Sequence, residues 1–286
     1  MSTRFYNKKT LKRLQKVELG ILKEFDQICR KNGLEYFMCG GSAIGIVRHG
    51  GFIPWDDDID VGMSRYDYDK FLEIASKEYS DKYTIVNNET NPYFPLMNTR
   101  WGLNGTEFKT NDLKDIPGEF GIFLDIFCFD NIPDDDKLMR KQGTMAWLFS
   151  KFTVLCGVKK PVLYYSGLKA KILKVIFYVA HYILKIFRFS SRFFYKKAIK
   201  YALEYKDEDT KRIAYMFDPK RFTSIVNRDD IYPIKNTKFN GINVMIPNRI
   251  EKYLEVRYGD YMTLPSVDER HTHPPYSLKF NTEKKK

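Results

Sequence analysis

Apolar residues recur every three or four positions in three long stretches of the chain, a spacing that predicts amphipathic helices. The first predicted helix spans residues 8–31 and ends at Asn32-Gly33, because glycine commonly follows a helix C-terminus. The second spans residues 65–78, and Ser64 is placed to cap its N-terminus. Its expected buried face consists of Tyr66, Phe71, Leu72 and Ala75. The third spans residues 168–188.

Shorter apolar or alternating runs between these helices predict β-strands. The clearest run is GIFLDIFCF, residues 121–129, a buried strand interrupted by one acid. Another strand is expected to carry the acidic residues of the segment 52–63. Weaker strands are expected at 34–39, 83–87, 95–101 and 239–246, and short helices at 43–49 and around 248–257. The mixture predicts an α+β fold, with a mixed sheet flanked by helices.

The segment 52–63 carries acids at every second position, namely Asp56, Asp58 and Asp60. Side chains alternate across a strand, so carboxylates two residues apart share one face, roughly 6.6 Å apart at their Cα atoms. Two carboxylates this close repel each other unless a cation lies between them. Hard oxygen ligands suit Mg²⁺ or Mn²⁺, and Mg²⁺ is commonly shared with a substrate phosphate. Asp58 and Asp60 are therefore predicted metal ligands for chemistry on a phosphate ester.

Three further features are candidates for the same site. Asp125 is the lone acid of the buried strand, and it needs a metal, a cation or a substrate proton nearby because an unpaired buried carboxylate is unfavourable. A structural salt bridge is the alternative. Gly40-Gly41-Ser42 is expected to form a tight turn. That turn either cradles a phosphate or has no role in binding. Arg100 either holds a diphosphate or pairs with an acid.

The net charge of +12 is concentrated in one segment. Residues 145–206 contain 13 Lys or Arg and one acid, which leaves 35 bases and 35 acids in the rest of the chain. The sequence therefore divides into a catalytic core at 1–144, a basic helical insertion at 145–206, and residues 207–286, which complete the catalytic domain. A localised positive field points to a polyanion or an anionic membrane surface as a partner.

Polar positions in the predicted helix 168–188 step by three and four residues and form one narrow, mostly cationic stripe on a broadly apolar helix. These positions are Lys171, Lys174, Tyr178, His181, Lys185 and Arg188. So many polar groups disfavour a membrane span, because each charge is costly at the bilayer centre. A helix lying in the membrane interface and a core helix with one solvated stripe remain the two alternatives.

The cysteines and the N-terminus bear on location. The four cysteines lack the CxxC spacing of zinc sites and have mostly apolar neighbours, so they are expected to be buried free thiols. The N-terminal segment has no apolar run of the kind found in secretory signals. We therefore expect a cytoplasmic protein, peripheral to the inner face of the plasma membrane if the basic segment binds lipid.

Three strings of the chain resemble the LicD family: YFMCGGSAIGIVRHGGFIPWDDDIDVGM, GIFLDIFCFDNIPDD and RYGDYMTLP, the last followed by a late histidine. They extend over most of the chain. The resemblance implies a nucleotidyltransferase-like (DNA polymerase β-like) fold and a CDP-choline-dependent cholinephosphotransferase. Relatives of the fukutin-related type transfer ribitol phosphate. The implied acceptor is a cell-surface glycan, free or lipid-linked, such as lipopolysaccharide, teichoic acid or capsule, and CMP is released.

The resemblance also implies roles for individual residues. Asp58, Asp60 and Asp125 become the catalytic and metal-binding residues. The implied substrate-binding residues are Gly40, Gly41, Ser42, Arg48, Trp55, Arg100, His271 and His273. One alternative is a nucleotidyltransferase that moves NMP from an NTP to a small-molecule hydroxyl. Another is a basic module that binds a membrane or nucleic acid, although the chain has no recognisable nucleic-acid reader motif.

Overall fold

The protein folds around a curled mixed β-sheet flanked by helices, in a computed structural model that describes residues 6–158, 167–267, 270, 272 and 275–281. The helices in these residues are α1 (Lys8–Lys31), α2 (Gly40–His49), α3 (Arg65–Glu78), α4 (Asp136–Gly157), α5 (Gly167–Ile186), α6 (Ser191–Ala202), α7 (Arg228–Ile231) and α8 (Ile250–Tyr258). The strands are β1 (Phe37–Met38), β2 (Asp60–Ser64), β3 (Tyr83–Val86), β4 (Thr99–Leu103), β5 (Glu107–Thr110), β6 (Ile122–Ile132), β7 (Arg212–Ala214), β8 (Ile225–Asn227), β9 (Lys235–Phe239), β10 (Ile242–Ile246) and β11 (Pro275–Lys279). This architecture is compatible with the predicted α+β class.

The principal sheet has the strand order β1-β2-β6-β4-β3. β2 and β6 run parallel, whereas β1, β4 and β3 pair antiparallel with their neighbours. β6 has 11 residues. Its N-terminal part pairs with β2 and β4, and its C-terminal part pairs with β7, which in turn pairs with β8. The remaining strands form the two-stranded sheets β9-β10 and β5-β11. β6 is thus the central strand, and it carries Asp125 into the middle of the molecule.

Local signals in the sequence account for the first and third helices. Asn7 caps α1 through its side chain, and Ser64 caps α3 by accepting the backbone N–H of Asp67. The helical spacing of Leu14 and Ile21 in α1 buries both side chains, which are at most 1% exposed. In α3 Phe71 and Ala75 are buried as predicted, but Tyr66 is 69% exposed, and the neighbouring Tyr68 takes the buried position.

An aromatic cluster joins α1 and α3 to the sheet. Trp101 of β4 is fully buried and stacks on Tyr83 of β3 with 3.8 Å between ring centroids. Phe25 and Phe71 meet edge to face at 4.7 Å, and Phe71 also contacts Trp101. Such pairs add to the stabilisation from apolar burial. The cluster holds β3 and β4 against α1 and α3, and β4 pairs in turn with β6, the strand that carries Asp125.

Three local predictions are corrected by the structure. Only Asp60–Ser64 is a strand in the acidic segment, so Asp56 and Asp58 lie in irregular backbone before it. Gly40-Gly41-Ser42 forms the first turn of α2 instead of a separate turn, because the helix begins directly after Cys39. The expected strand 34–39 is reduced to the two residues of β1.

α4, α5 and α6 pack together beside the sheet. Ala146 of α4 and Ala198 of α6 belong to the main hydrophobic core, and the predicted domain boundary at 144/145 falls inside α4. His181 departs from the predicted solvated stripe of α5: it is 5% exposed, and its Nδ1 atom lies 2.7 Å from the Leu155 carbonyl oxygen. Within the described ranges, no helix combines the length and the apolar character that crossing a membrane requires.

Candidate active site

Three charged side chains lie in one row across the central strands. Asp60, the first residue of β2, is in register with Asp125 of β6, and Asp125 is in register with Arg100 of β4. Residues opposite each other in a sheet project from the same face. The Arg100 Nε atom lies 3.3 Å from the Asp125 Oδ1 atom, and both side chains are 9% exposed. The sequence left Arg100 either to hold a diphosphate or to pair with an acid, and in the structure it pairs with Asp125.

Asp58 brings a third carboxylate close to those of Asp60 and Asp125. One carboxylate oxygen from each of Asp58, Asp60 and Asp125 lies within 4.8 Å of the other two. A second trio, Asp56, Asp57 and Asp58, meets the same limit. The trios share Asp58, and together these five aspartates form what we call the acid cluster. The predicted grouping of Asp58 with Asp60 is therefore present, although it arises from irregular backbone at Asp58 and not from strand alternation.

The N-terminus of α2 approaches two carboxylates of the acid cluster. Gly40 has a φ of +55°, and a Cβ atom there would overlap the carboxylate of Asp60. A Cβ atom on Gly41 would lie 2.7 Å from Asp56 Oδ2. The helix N-terminus carries partial positive charge, which stabilises nearby anions. The two glycines are thus required for close packing of the helix start against the acids.

Ser42 positions the backbone of β2. Its hydroxyl oxygen accepts the backbone N–H of Asp60 at 3.0 Å, and the residue is 3% exposed. A buried hydroxyl that accepts this bond fixes where β2 begins. The structure therefore gives Ser42 a contact that holds Asp60 in place.

One face of α1 lies against the acid cluster from the other side. Gln15 Nε2 donates to the Asp56 carbonyl oxygen at 2.8 Å, and the Tyr6 hydroxyl donates to Asp57 Oδ2 at 2.7 Å. Glu18 follows Gln15 by three residues, so the two side chains share one helix face. Glu18 is 2% exposed, and its Oε2 atom has no hydrogen-bond partner in the described part of the chain.

Burial and mutual repulsion disfavour negative charge at this site. Burial raises the pKa of Asp60 well above its usual 3.8, and the carboxylates of Asp58 and Asp125 raise it further. Burial likewise raises the pKa of Glu18 well above its usual 4.5, with Asp58 and Asp57 as the next causes. Buried carboxyl groups with raised pKa values indicate a site built to receive positive charge.

The donor set fits a hard divalent cation. Asp58, Asp60 and Asp125 offer carboxylate oxygens, the ligand type that Mg²⁺ and Mn²⁺ prefer. Opposite ligands of a bound Mg²⁺ lie roughly 4 Å apart, so oxygens within 4.8 Å need only small adjustments. Glu18, whose Oε2 atom has no hydrogen-bond partner among the described residues, is a further buried acidic group that interacts electrostatically with Asp58. An acidic cluster therefore exists that is suited to a metal, whose identity the donors alone do not fix.

A small cavity opens beside Asp60, with Arg257 at its edge. Its lining residues are Cys39, Gly40, Asp60, Phe127, Phe129, Tyr215 and Arg257. Arg257 belongs to α8, and its Nη2 atom lies 3.1 Å from Asp218 Oδ1. Its Nε atom donates to the Tyr258 hydroxyl at 2.9 Å. The cavity thus combines aromatic walls, one carboxylate and a guanidinium that its neighbours hold in place.

The other predicted substrate-binding residues lie nearby or outside the described chain. Arg48 donates from Nη1 to the Tyr261 carbonyl oxygen at 2.9 Å, and burial lowers the pKa of its guanidinium. Trp55 is half-buried, and the Arg270 guanidinium carbon lies 4.1 Å from its ring centroid. His271 and His273 lie outside the described residues.

Sequence reasoning missed Glu18 and Arg257 as parts of this region. Glu18 stands among apolar residues on the buried face of α1, and a lone acid at a core position was the available signal. Arg257 stands in the RYGDYMTLP string, but nothing in its spacing connects α8 with β2. All four cysteines are free; Cys29, Cys39 and Cys128 are buried as expected, whereas Cys156 is half-buried.

Comparisons with known proteins find similar sequences over the part of the chain that forms this site. Residues 33–153 match the family model described as LicD/FKTN/FKRP, nucleotidyltransferase domain. The chain is 28% identical to the lipopolysaccharide cholinephosphotransferase LicD of Haemophilus influenzae, over 93% of this chain and 96% of that protein. It is also 33% identical to an uncharacterised protein of Rickettsia typhi, over 24% of this chain and 22% of that protein. The matched region of the family model contains the whole acid cluster.

Proposed function

Because the chain belongs to the LicD family, we propose that it is a phosphotransferase that moves phosphocholine, or a related phospho-alcohol, from a CDP-linked donor to a cell-surface glycan. The observation that carries this proposal is the convergence of Asp58, Asp60 and Asp125 within 4.8 Å of one another. The Haemophilus relative, which aligns over nearly the whole of both chains, is named for action on lipopolysaccharide. We take the same class of glycan as the acceptor.

We also propose that the core has a nucleotidyltransferase-like fold. The support is the family description and the parallel pairing of β2 with β6, which sets the D-x-D pair beside Asp125. In this arrangement residues 1–144 and 207–286 form the catalytic part, and residues 145–206 contribute the basic helices. Peripheral location at the inner membrane face is part of the same proposal.

Asp58, Asp60 and Asp125 are the proposed ligands of Mg²⁺ or Mn²⁺. When bound, the cation neutralises charge on the diphosphate of the donor and polarises the transferred phosphorus. Asp125 is a ligand and not the general base in this proposal, because its buried carboxylate is already paired with Arg100. Arg100 thus acts by holding Asp125, instead of contacting the diphosphate itself.

The donor is proposed to lie across the N-terminus of α2. Gly40 and Gly41 leave room for a phosphate near the helix start, where the partial positive charge favours anions. The guanidinium of Arg257 supplies positive charge in the cavity that Gly40 and Asp60 also line. Arg48 and Trp55 extend this surface beyond the acid cluster.

The proposed reaction is a displacement at phosphorus. The acceptor hydroxyl oxygen forms a bond to the phosphorus that carries choline, and the bond from that phosphorus to the oxygen of CMP breaks. The hydroxyl proton passes to a carboxylate of the acid cluster, and CMP leaves with the electron pair. Positioning and electrostatic stabilisation by fixed side chains supply most of the rate enhancement in such reactions.

The proposal is tested by product analysis with purified protein and Mg²⁺. CDP-choline, CDP-ribitol, CDP-glycerol and the four NTPs are offered with lipopolysaccharide, and CMP and pyrophosphate are quantified. We expect CMP from one CDP-linked donor, and its loss in Asp58→Asn. Asp69→Asn is the matched control, because Asp69 is an exposed carboxylate on α3.

The rival function gives a different product in the same assay. A nucleotidyltransferase releases pyrophosphate from an NTP and no CMP from CDP-linked alcohols. Pyrophosphate release that is lost in Asp58→Asn would refute the donor assignment while retaining the acid cluster as the active site.

A further inference from the structure

One face of α5, the turn that follows it and the start of α6 expose an unusual number of large apolar side chains. Nine of them are between 45% and 75% exposed: Ile172, Val175, Ile176, Val179, Ile183, Ile186, Phe187, Phe189 and Phe193. Their spacing of three and four residues in α5 places them along one side of the helix. We call this set the α5–α6 face. Contiguous exposed apolar side chains of this kind mark interaction surfaces in soluble proteins.

The opposite side of α5 is already packed. Leu184 is buried against Leu155 of α4 and Phe194 of α6. His181 lies 2.7 Å from the Leu155 carbonyl oxygen on the same side. The helix is therefore held in place by its inner side, and in residues 167–193 the apolar side chains of the α5–α6 face point away from this packing.

Positive charge accompanies the face on the same elements. Lys185 and Arg188 are exposed on α5 and the turn that follows it, and Lys196, Lys197 and Lys200 are exposed on α6. Residues 145–206 contain 13 bases and one acid, so the whole surplus of the chain lies in the segment that carries the face. The combination of an apolar surface with positive charge on the same elements is complementary to an anionic lipid surface.

We propose that the α5–α6 face inserts into the interface of an anionic membrane, with α5 lying parallel to the bilayer surface. Ile186, Phe187 and Phe189 enter the acyl boundary, and Lys185 and Arg188 contact lipid phosphates. A second copy of this chain fits the face less well, because two copies would bring two strongly basic segments together. The inference deepens the peripheral location given in the proposed function, and it is tested separately from the transfer reaction because lipid binding is measured without turnover.

The first test is co-sedimentation of the full chain with vesicles of phosphatidylcholine, with and without phosphatidylglycerol. We expect binding to the anionic vesicles that weakens as NaCl rises, because exposed charges are screened. The double variant Val179→Asp, Ile183→Asp is expected to lower the partition coefficient at least tenfold. Leu138→Asp is the matched control, because Leu138 is an apolar residue, 40% exposed, near the N-terminus of α4 and outside the α5–α6 face.

A second variant pair separates charge from apolar insertion. Lys185→Glu with Arg188→Glu is expected to weaken binding to anionic vesicles, whereas Lys137→Glu with Lys141→Glu, exposed on α4, changes it little. In the variant Phe187→Trp, brominated lipid is expected to quench the fluorescence that the substitution adds.

Three results of these experiments would each overturn the proposal. They are absence of vesicle binding, equal binding by the double Asp variant, and fluorescence of Phe187→Trp that brominated lipid leaves unquenched. A dimer in lipid-free buffer that Val179→Asp with Ile183→Asp abolishes would do the same, because the face would then be an interface between two copies of the chain.

Discussion

At the residue scale, the acid cluster gathers carboxylates that repel one another, and the chain balances only part of their charge. Arg100 pairs with Asp125 in the row across β6 and β4. Asp60 forms no comparable ion pair among the described residues, and burial together with Asp58 and Asp125 raises its pKa. The remaining imbalance is what a divalent cation would neutralise. The side chains that pair with these carboxylates therefore stabilise the fold as well as the site.

Replacing Arg100 tests the buried pair. Arg100→Met removes the guanidinium that pairs with the buried Asp125 carboxylate, so we expect a loss of about 3 kcal/mol in the free energy of unfolding without divalent cations. Adding Asp125→Asn should recover part of that loss, because the uncompensated charge is removed. Denaturant titration measures both, and Lys70→Met, which breaks an exposed pair, should cost less than about 1 kcal/mol. Equal losses in Arg100→Met and Lys70→Met would contradict the assignment.

Glu18 provides a pH-dependent test. Its raised folded-state pKa means that the unfolded chain releases this proton first as pH rises above about 4.5, so the carboxyl lowers stability above that pH. Below it both states hold the proton and the effect vanishes. Glu18→Gln in EDTA should therefore become more stable than wild type by about 1.4 kcal/mol per pH unit until the folded pKa is reached. Parallel stability curves for the two proteins would show that burial of Glu18 has no such effect.

At the element scale, the start of α2 and the start of β2 are packed as one unit. The Ser42 hydroxyl accepts a hydrogen bond from the backbone N–H of Asp60. The Asp60 carboxylate fills the space that a side chain at position 40 would need, so only glycine fits there. The dipole of α2 therefore points at the acids from a fixed distance. The unit explains why two glycines are needed at this place in the fold.

Gly40→Ala tests this packing against a matched control. Gly40 and Gly50 both have positive φ, +55° and +70°, so alanine is strained at either position. A Cβ atom at Gly50 meets nothing within 4 Å, whereas one at Gly40 overlaps the Asp60 carboxylate. We expect Gly40→Ala to abolish turnover and Gly50→Ala to cost about 1 kcal/mol of stability with activity retained. Similar activity losses in both variants would count against a specific role of the α2 start.

The elements show where sequence pattern is sufficient and where it is not. α1 and β6 are predicted from sequence because each is long and has a clear apolar pattern. Apolar residues recur with a period of about 3.6 in α1 and form a nearly continuous run in β6. The alternation in the acidic segment predicts a strand, and burial does alternate there, with Asp57 and Ile59 buried, but the backbone before Asp60 is irregular. Asp57 instead accepts a hydrogen bond from Tyr6, which is distant in the sequence. Long-range contacts of this kind leave no periodic signal.

At the scale of the whole molecule, the acid cluster and the surface charge are separated along the chain. The acid cluster comes from residues 56–125, whereas the basic surplus comes from residues 145–206. Asp58, Asp60 and Asp125 were identified from sequence because their residue type and spacing suggest metal chemistry. The neighbours Glu18 and Arg257 were not, because α1 and α8 reach the site only through tertiary packing. The exposure of the α5–α6 face likewise depends on which side of α5 packs against α4.

The most direct test of the central claim is transfer of labelled phosphocholine from CDP-choline to lipopolysaccharide by the purified protein with Mg²⁺. Wild type is compared with Asp60→Asn, and Asp69→Asn serves as the control for an exposed carboxylate. We predict labelled lipopolysaccharide and an equal amount of CMP from wild type and the control, and neither product from Asp60→Asn. Undiminished transfer by Asp60→Asn would contradict the claim that the acid cluster is the active site.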